Sequence, residues 1–376
     1  MTTSTIHWVG AGLSSGPGIL RLARSGKALV LWNRTLERAQ SVFPNGTVPA
    51  TTTIRTYTLS DLQQAVQPGD IVVSMLPANM HLELAGVCLE RNAHLVTTSY
   101  ISEGMRQLHE QAKKKGLCFV NECGLDPGID HVFAHLLVQA WRVSPAFDPT
   151  AELHFNSYCG GVPKNPEDFK YKFSWSPAGV LRALTNRARF IEHGREASIE
   201  RAWESVKNLA IRGEVFEVYP NRDSVTYVAD YGFDATWNVQ SFVRGTIRLG
   251  GWKKAWEHIF VRIPNASNEE IEKMGADLWS KHAYAADEQD RVVLYVNLVA
   301  KHQDECHFNQ TYFIDDCGSG SETSMARLVS WPAAFTVEAL SDGRFQPGVR
   351  GAPDTSSEMN LWLDNLKGLG IKILHD

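Results

Sequence analysis

The sequence lacks the features that mark membrane proteins and nucleic-acid-binding proteins. Its 376 residues contain no run of about 18 apolar residues, so no transmembrane helix is expected. The N-terminus has no basic stretch followed by an apolar core, so we expect no signal peptide. The net charge of −5 gives no positive surplus for nucleic acid or for an anionic membrane surface. We therefore expect neither kind of partner.

Cysteine is scarce, and the sequence offers no metal-binding pattern. The six cysteines are dispersed and none form a CxxC pair, which argues against a zinc ribbon and a disulfide scaffold and fits a reducing cytoplasm. His131 and His135 are four residues apart, a spacing that can ligate metal. Position 132 is valine and no third ligand is evident, so we expect two ordinary histidines and no metal.

Short strands and helices alternate through the first 121 residues. Strand-like segments at 5–9, 28–32, 71–75, 93–97 and 118–121 are interleaved with helix-like segments at 17–25, 60–66, 81–90 and 102–115. This order indicates βαβ units with right-handed crossovers. The sequence therefore predicts an α/β protein whose N-terminal domain is a Rossmann fold, with a doubly wound parallel sheet.

The pattern changes near Gly124. A helix-like segment at 127–141 is followed by strand-like runs at 151–158, 214–219, 242–249, 292–300 and 310–314, and residues 178–209 read as mainly helical. Long strands with few helices between them indicate a mixed sheet. We expect a Rossmann domain at 1–124, an α+β substrate-binding and dimerisation domain at 125–323, and a helical segment at 324–376 that packs back on the first domain. Tryptophans clustered between Trp203 and Trp256 favour a homodimer.

A glycine-rich turn follows the first predicted strand. Gly10-Ala11-Gly12-Leu13-Ser14-Ser15-Gly16 precedes a helix, where glycines let the backbone approach a pyrophosphate and the helix N-terminus attracts it. Ser15 takes the position of the usual third glycine, so an ordinary tight turn is the alternative. The place of the turn, directly after the first strand, favours a dinucleotide.

The second strand lacks the carboxylate that NAD-type folds place about 20 residues after the glycines. It ends in Asn33-Arg34-Thr35, with Arg38 one turn later. Arg34 and Arg38 could form a fork around a 2′-phosphate, the alternative being two solvated surface arginines. We predict NADP(H), with NAD(H) as the alternative. The predicted cofactor-binding residues are Gly10, Gly12, Leu13, Ser14, Asn33, Arg34, Thr35, Arg38, Leu76, Pro77 and Ser99.

Longer motifs point to a family. In chain order they are Thr97-Thr98-Ser99-Tyr100, Asn121-Glu122-Cys123-Gly124-Leu125-Asp126-Pro127-Gly128-Ile129-Asp130-His131, Ser157-Tyr158-Cys159-Gly160-Gly161-Val162-Pro163, Tyr171-Lys172-Phe173-Ser174-Trp175-Ser176-Pro177, Tyr219-Pro220-Asn221-Arg222-Asp223-Ser224 and Arg244-Gly245-Thr246-Ile247-Arg248. Through them, residues 1 to about 260 closely resemble the glutamate-forming saccharopine dehydrogenases, also called saccharopine reductases.

The resemblance implies a reaction at a CH–NH bond in lysine metabolism. Members of that family join the amino group of L-glutamate to the aldehyde of 2-aminoadipate 6-semialdehyde. The resulting imine is reduced by hydride from the nicotinamide to give saccharopine, and the reaction is reversible. Two alternatives remain: an imine reductase of the carboxynorspermidine type, whose cationic substrate would favour acids over arginines, and a non-catalytic dinucleotide sensor.

The substrate residues follow from the resemblance and from charge. Saccharopine carries three carboxylates, which arginine binds with two parallel hydrogen bonds. Arg244 and Arg248 are an even number of residues apart and so point to one face of a strand, although a surface charge ladder would have the same spacing. The predicted substrate-binding residues are Ser99, Tyr100, Asp126, Arg222, Arg244, Thr246 and Arg248.

The predicted catalytic residues are Asp126 and Cys159. The resemblance implies that Asp126 contacts the substrate amine, and a thiol beside a carboxylate and an amine could assist proton transfer. Each residue has a structural alternative. Asp126 before Pro127 reads equally as a helix N-cap with proline at the first helical position. Cys159 would serve as a small buried apolar residue, and Ser99 as a cap for the helix that begins near Ser102.

Overall fold

The computed structural model describes residues 4–318 and 322–376. The chain divides into two compact units. The first consists of residues 1–131 and 326–368, and the second of residues 132–325 and 369–376. Among the described residues, no helix is long and apolar enough to cross a membrane.

A seven-stranded parallel sheet forms the centre of the first unit, in the order β15-β6-β5-β4-β1-β2-β3. The strands are β1 (Ile6–Val9), β2 (Leu29–Asn33), β3 (Thr52–Thr56), β4 (Ile71–Ser74), β5 (His94–Thr97), β6 (Cys118–Val120) and β15 (Gly348–Arg350). The helices are α1 (Gly16–Arg24), α2 (Leu36–Gln40), α3 (Leu59–Ala65), α4 (His81–Arg91), α5 (Glu103–Arg106), α6 (His109–Lys114) and α14 (Ser356–Gly368), with 3-10 turns at Pro44–Gly46 and Ala78–Met80.

A mixed sheet forms the second unit, in the order β10-β11-β12-β7-β13-β14-β16, with β8 pairing to β12 and β9. Its strands are β7 (Glu152–Pro163), β8 (Ala188–Glu192), β9 (Arg195–Ile199), β10 (Lys207–Ile211), β11 (Glu214–Pro220), β12 (Val239–Leu249), β13 (Asp290–His302), β14 (Glu305–Cys317) and β16 (Ile373–His375). The helices are α8 (Pro177–Thr185), α9 (Thr226–Asp230), α10 (Trp252–Ala255), α11 (Glu257–Arg262) and α12 (Asn268–His282), with 3-10 turns at Ala202–Ser205 and Ile263–Asn265. The chain passes between the units at three points. Two of them fall inside helices, α7 (Ile129–Arg142) and α13 (Ser324–Ser341), and the third follows the end of α14.

The predicted fold class, a doubly wound parallel sheet followed by a domain with a mixed sheet, is confirmed. The alternation of β1, β2, β4, β5 and β6 with helices matches the alternation read from the sequence. The C-terminal segment differs in one respect. Residues 326–368 belong to the first unit, but residues 369–376 belong to the second, because β16 pairs with β14 there.

The helical interpretation of residues 178–209 is wrong beyond α8. The next residues form the hairpin β8–β9, whose turn contains His193 and Gly194, both with positive φ. Two residues with positive φ are what a tight hairpin turn requires. β10 then pairs antiparallel with β11. The apolar residues of this stretch are spaced for a half-buried strand, and its polar neighbours face solvent.

Several elements were not predicted from the sequence, among them β3 and α12, and one predicted helix proves to be two. β3 is an edge strand with mostly exposed residues, so it lacks an apolar signature. α12 carries a capping box, in which Ser267 and Glu270 bond each other's backbone N–H groups. The helix expected at 102–115 is interrupted between Arg106 and His109 and forms α5 and α6.

Candidate active site

The glycine turn after β1 is shaped for a phosphate. Gly10 has a φ of +103°, and a Cβ there would lie 3.2 Å from the carbonyl oxygen of Met75, so only glycine fits. A Cβ at Gly12 would meet no atom within 4 Å, which leaves the outer side of the turn open. Helix α1 then begins without a side-chain cap, and the buried Oγ of Ser15 has no hydrogen-bond partner. Uncapped N–H groups and an unpaired hydroxyl fit a dinucleotide phosphate.

Gly18 allows α1 to pack closely against its neighbours, a role usually given to the third glycine of the turn. A Cβ at Gly18 would lie 2.4 Å from the carbonyl oxygen of Ser330 and 2.7 Å from the Trp8 ring. The N–H of Gly18 also donates to the Ser330 Oγ at 2.8 Å. Ser15 in the third-glycine position is therefore tolerated, because the tight contact lies three residues further along the helix. The sequence reading missed this residue.

Two of the predicted cofactor residues brace the glycine turn. The Asn33 Oδ1 accepts a hydrogen bond from the N–H of Ala11 at 3.0 Å, and the Asn33 Nδ2 donates to the carbonyl of Thr35. The Arg38 Nε donates to the carbonyl oxygen of Ala11 at 3.1 Å. Arg34 is exposed and makes no bond or ion pair with the described residues. Arg34 is therefore available to an anionic ligand, whereas Arg38 is partly committed to the turn.

Parallel pairing brings the remaining predicted residues of this unit to one sheet edge. Val9, Ser74 and Thr97 are in register at the carboxyl ends of β1, β4 and β5. Ligands in open α/β sheets bind outside these carboxyl ends. The residues that follow the three strands at this edge are Gly10 to Ser14, Leu76 with Pro77, and Ser99 with Tyr100.

Tyr100 and Asp126, two predicted substrate residues, contact each other. The Tyr100 hydroxyl donates to the Asp126 Oδ1 at 2.7 Å. Helix α7 begins at Ile129, so the interpretation of Asp126 as an N-cap with Pro127 at the first helical position is wrong. The cap role proposed for Ser99 is also wrong, because the Ser102 side chain caps α5 by accepting from the N–H of Met105 at 3.2 Å.

A buried histidine that the sequence reading did not select contacts Ser99. The His81 Nε2 lies 2.8 Å from the Ser99 Oγ, and the His81 Nδ1 lies 2.9 Å from the Ser74 Oγ. Burial lowers the pKa of His81 to about 4, so its imidazole is neutral near pH 7. His81 is the first residue of α4, shortly after Leu76 and Pro77.

In the second unit, strand register places predicted residues on one face of the sheet. Thr246 of β12 is paired with Cys159 of β7 on one side and with Tyr219 of β11 on the other. The register is uninterrupted from Arg244 to Arg248, so these two arginines share the face of Thr246. Both are less than 8% exposed, which excludes a surface charge ladder.

Arg248 is held by aromatic rings and by no carboxylate. Its guanidinium carbon lies 4.9 Å from the centroid of Tyr171, 5.6 Å from that of Tyr219 and 5.3 Å from that of Trp252. Its Nη1 donates to the carbonyl of Ile247, and its Nε has no hydrogen-bond partner. Among the described residues it forms no ion pair. We call Tyr171, Tyr219 and Trp252 the aromatic cage.

The cage residues stay neutral around the cation. Burial raises the pKa of Tyr171 and Tyr219, an effect that the nearby Arg248 cation opposes without reversing. Tyr171 and Tyr219 lie in the motifs that carry the resemblance, but no sequence signal placed them around Arg248, because the contacts join three distant segments. Trp252 lies four positions after Arg248, but this spacing alone did not indicate that the two side chains are in contact.

The other predicted residues of this unit have separate surroundings. The Arg244 guanidinium carbon lies 4.2 Å from the Tyr227 ring centroid, and its backbone N–H donates to the Ser224 Oγ at 2.9 Å. Arg222 is exposed, has a φ of +54° and lies in the loop after β11. Cys159 is 8% exposed, so its thiol is largely buried. In the sheet, Cys159 is paired with Thr246 of β12 on one side and with Leu294 of β13 on the other.

The described residues contain no cluster of three potential metal ligands. His131 lies 3.5 Å from the Glu122 Oε2 through its Nε2. The His135 ring packs edge-on against Tyr231, with centroids 5.5 Å apart.

Two family models match consecutive parts of the chain. The saccharopine dehydrogenase NADP binding domain matches residues 6–120, and the saccharopine dehydrogenase C-terminal domain matches residues 124–371. Together they cover both units almost completely. The glycine turn, Arg34 and Ser99 fall in the first match, and Asp126, Cys159 and Arg248 fall in the second.

Similar proteins carry related names. A saccharopine dehydrogenase (NADP+, L-glutamate-forming) of Pyricularia oryzae is 28% identical over 91% of this chain and 92% of its own length. The mitochondrial alpha-aminoadipic semialdehyde synthase of Mus musculus is 25% identical over 98% of this chain, which spans 47% of that longer protein. An apo saccharopine dehydrogenase (L-Glu forming) structure from Saccharomyces cerevisiae superposes with a TM-score of 0.81, at 25% identity and 99% coverage of both chains.

Proposed function

The chain belongs to the saccharopine dehydrogenase family, and on that premise we propose that it is an NADP(H)-dependent, L-glutamate-forming saccharopine dehydrogenase. It would interconvert saccharopine with L-glutamate and 2-aminoadipate 6-semialdehyde through an imine, in lysine metabolism. The proposed activity rests on the similarity to these relatives. The groups in each unit that could bind anions support it independently.

Arg248 is the observation that carries the proposal. A buried cation without an acidic partner is costly, and proteins keep one where a ligand supplies the opposite charge. Arg291 on the same sheet shows the usual alternative, since it pairs with Glu214 at 2.8 Å and with Asp315 at 2.7 Å. A substrate with three carboxylates provides what Arg248 lacks. The substrate of a carboxynorspermidine-type enzyme has one carboxylate on a mainly cationic molecule, so it matches three arginines less well.

The aromatic cage adds orientation to charge. The rings of the cage attract the guanidinium and restrict its rotation, so less entropy is lost when a carboxylate binds. We propose that Arg248, Thr246 and Arg244 bind one end of the substrate from a single sheet face, and that the exposed Arg222 binds a further carboxylate. Ser99 and Tyr100 are proposed as further substrate ligands.

The first unit has the groups that NADP(H) requires. The open turn at Gly12 and the uncapped start of α1 suit the pyrophosphate, and Leu13 and Ser14 line that turn. Arg34 would bind the 2′-phosphate, with Arg38 and Asn33 fixing the turn beside it and Thr35, Leu76 and Pro77 flanking the dinucleotide. When bound, the nicotinamide would supply or accept the hydride. The protein would bind, orient and desolvate the reactants.

We propose Asp126 and Cys159 as the groups that exchange protons with the substrate amine. The Tyr100 hydroxyl holds the Asp126 carboxylate in place through its 2.7 Å hydrogen bond, which also stabilises the charged form. Cys159 would act from the face that carries Thr246. Replacement of each residue by an isostere, Asp126→Asn and Cys159→Ser, should lower kcat more than it raises KM.

We further propose that the protein is cytoplasmic and homodimeric. The structure shows no disulfide within residues 4–318 and 322–376, which fits a reducing compartment. Val215 on β11 is 53% exposed, and most oligomers are symmetric dimers. Light scattering of the purified protein should give twice the mass of the chain, and a monomer at micromolar concentration would rule the dimer out.

Steady-state kinetics test the proposed function. The purified protein should oxidise saccharopine with NADP+ and prefer NADP+ to NAD+, and it should leave carboxynorspermidine unreacted. A preference for carboxynorspermidine would assign the chain to the sister class of imine reductases. Cofactor binding by a folded protein that turns over neither substrate would identify a dinucleotide sensor.

A further inference from the structure

A hydrogen-bonded chain of three side chains lies at the carboxyl ends of β4 and β5. It runs from the Ser74 Oγ to the His81 Nδ1 over 2.9 Å, and from the His81 Nε2 to the Ser99 Oγ over 2.8 Å. Ser74 is fully buried and His81 is 5% exposed, whereas Ser99 is half-buried. Only the Ser99 end of the chain therefore reaches the edge of the sheet where ligands bind.

The protonation state of His81 determines whether the two serines have the same or opposite hydrogen-bonding roles. A neutral imidazole has one N–H donor and one acceptor nitrogen. One serine hydroxyl must therefore donate to His81 while the other accepts from it. A protonated imidazole would donate from both nitrogens, but burial disfavours that form, with a pKa of about 4. At neutral pH the two serines are held in opposite hydrogen-bonding roles.

The chain does not conduct protons to solvent. Ser74 has no exposed surface, and its hydroxyl has no hydrogen-bond partner other than His81 among residues 4–318 and 322–376. A proton that entered at Ser99 would have no exit at Ser74. The chain is thus suited to orienting a hydroxyl rather than to acid–base catalysis.

We propose that His81 is a positioning residue, which holds the Ser99 hydroxyl by one hydrogen bond and so limits the directions in which that hydroxyl can bond to the bound cofactor and substrate. Its contact with ligands through Ser99 rests on the proposed function. Without His81 the Ser99 hydroxyl would rotate among its staggered positions, and some of these would present the wrong polarity to the ligand.

Two amide substitutions separate this role from a purely structural one. The glutamine amide reaches the position of the histidine Nε2, so His81→Gln can keep the bond to Ser99 and lose the bond to Ser74. The asparagine amide corresponds to Nδ1, so His81→Asn keeps the bond to Ser74 and loses the bond to Ser99. If His81 only stabilises α4, the two variants should be equally impaired.

His94→Asn is a matched control. His94 is a partly buried histidine of the same unit, and its pKa is also lowered by burial. Its Nδ1 accepts from the N–H of Cys118 at 3.0 Å, and it starts β5, so it lies at the opposite end of the strand from Ser99. His94→Asn should change the melting temperature as much as His81→Asn does, without affecting kinetics.

The expected result is a ranking. His81→Asn should lower kcat/KM for saccharopine by about tenfold, the loss of about 1.4 kcal/mol, with melting unchanged beyond the His94→Asn control. His81→Gln should recover most of that loss. In a double-mutant cycle, Ser99→Ala with His81→Asn should be no slower than Ser99→Ala alone, since the histidine acts through the serine. Additive losses would overturn the proposal, as would equal losses in the two His81 variants.

The dissociation constant for NADPH provides a second readout, measured by calorimetry on the same variants. The affinity should follow the same order, because Ser99 is proposed to contact the cofactor as well. Wild-type protein that binds NADPH but does not turn over saccharopine would contradict the proposed function, and the His81 inference would still be decided by the NADPH ranking. Identical NADPH affinities in all variants, together with identical kinetics, would show that His81 has no positioning role.

Discussion

Arg34 in the first unit and Arg248 in the second are both proposed to bind anionic groups, but their surroundings are opposite. Arg34 is exposed at the end of β2 and makes no contact with a charged neighbour. Arg248 is 7% exposed, lies among three aromatic rings and also has no acidic partner in the described part of the chain. In the proposed function, the first unit recognises its ligand mostly through backbone geometry, at Gly10 and Gly12. The second does so through buried side chains on one sheet face.

The difference determines how strongly each site can discriminate. An ion pair in a desolvated site is much stronger than one at the surface, where water and salt screen it. Arg248 should therefore be decisive for the substrate, whereas Arg34 should shift the choice between two cofactors. Burial of the Arg248 cation costs desolvation free energy that no carboxylate of the described residues offsets. Without ligand, Arg248 should therefore lower the free energy of unfolding.

The largest expected effect is that of Arg248→Met. Removal of the buried cation should lower kcat/KM for saccharopine by about a thousandfold, or about 4 kcal/mol, because a substrate carboxylate loses its partner in a desolvated site. Urea unfolding should show unchanged or higher stability. Arg291→Met is the control, since it should destabilise the fold by leaving Glu214 and Asp315 without their cation. A destabilised Arg248→Met that remains fully active would reverse the contrast.

The next effect tests the backbone half of the comparison. In Gly18→Ala the new Cβ would lie 2.4 Å from a carbonyl oxygen, so α1 must shift, at a cost of roughly 2–3 kcal/mol in the free energy of unfolding. Gly16→Ala, where a Cβ meets nothing within 4 Å, should leave stability equal or slightly raised. Equal unfolding midpoints for the two variants would mean that Gly18 does not determine the position of α1.

The first unit, like the second, contains a buried titratable group, His81. Its pKa is about 4 in the folded state, below the ordinary value of 6.5, so the unfolded chain takes up the proton first as pH falls. Stability is therefore lost on acidification, by roughly 2 kcal/mol between pH 7 and pH 5. Urea titrations should show a smaller loss for His81→Gln over the same range. The same pH dependence in both proteins would place the histidine in a solvated environment.

The smallest expected effect is that of Arg34→Asp. The ratio of kcat/KM for NADP+ to that for NAD+ should fall by about fivefold, since an exposed charge contributes about 1 kcal/mol, and the difference should shrink as salt is raised. Arg24→Asp is the control. Arg24 is the last residue of α1, and its replacement makes the same change in net charge but should leave the cofactor ratio unchanged. An unchanged ratio in Arg34→Asp would show that Arg34 does not bind the 2′-phosphate.

The sequence predicted what depends on local pattern. The order of strands in the first sheet follows from apolar segments separated by turn residues, and Arg248 could be selected because a tricarboxylate needs cations. The hairpin at His193 and Gly194 was misread as helix, and α12 was missed although Ser267 and Glu270 carry its capping signature. These errors concern local signals that were present in the sequence.

Other features were beyond a sequence reading because distant segments create them. The cage around Arg248 joins Tyr171, Tyr219 and Trp252, and nothing in their spacing indicates a common centre. His81 reaches Ser99 only because β4 and β5 are adjacent in the sheet. The space beside Gly18 is closed by Ser330, more than 300 residues away in the chain. Each depends on tertiary packing rather than on propensity.

The central claim is tested most directly by product analysis. Wild-type protein incubated with saccharopine and NADP+ should release L-glutamate and NADPH in equimolar amounts. Reduction of NADP+ without L-glutamate, or a folded protein that forms neither product, would contradict the assignment.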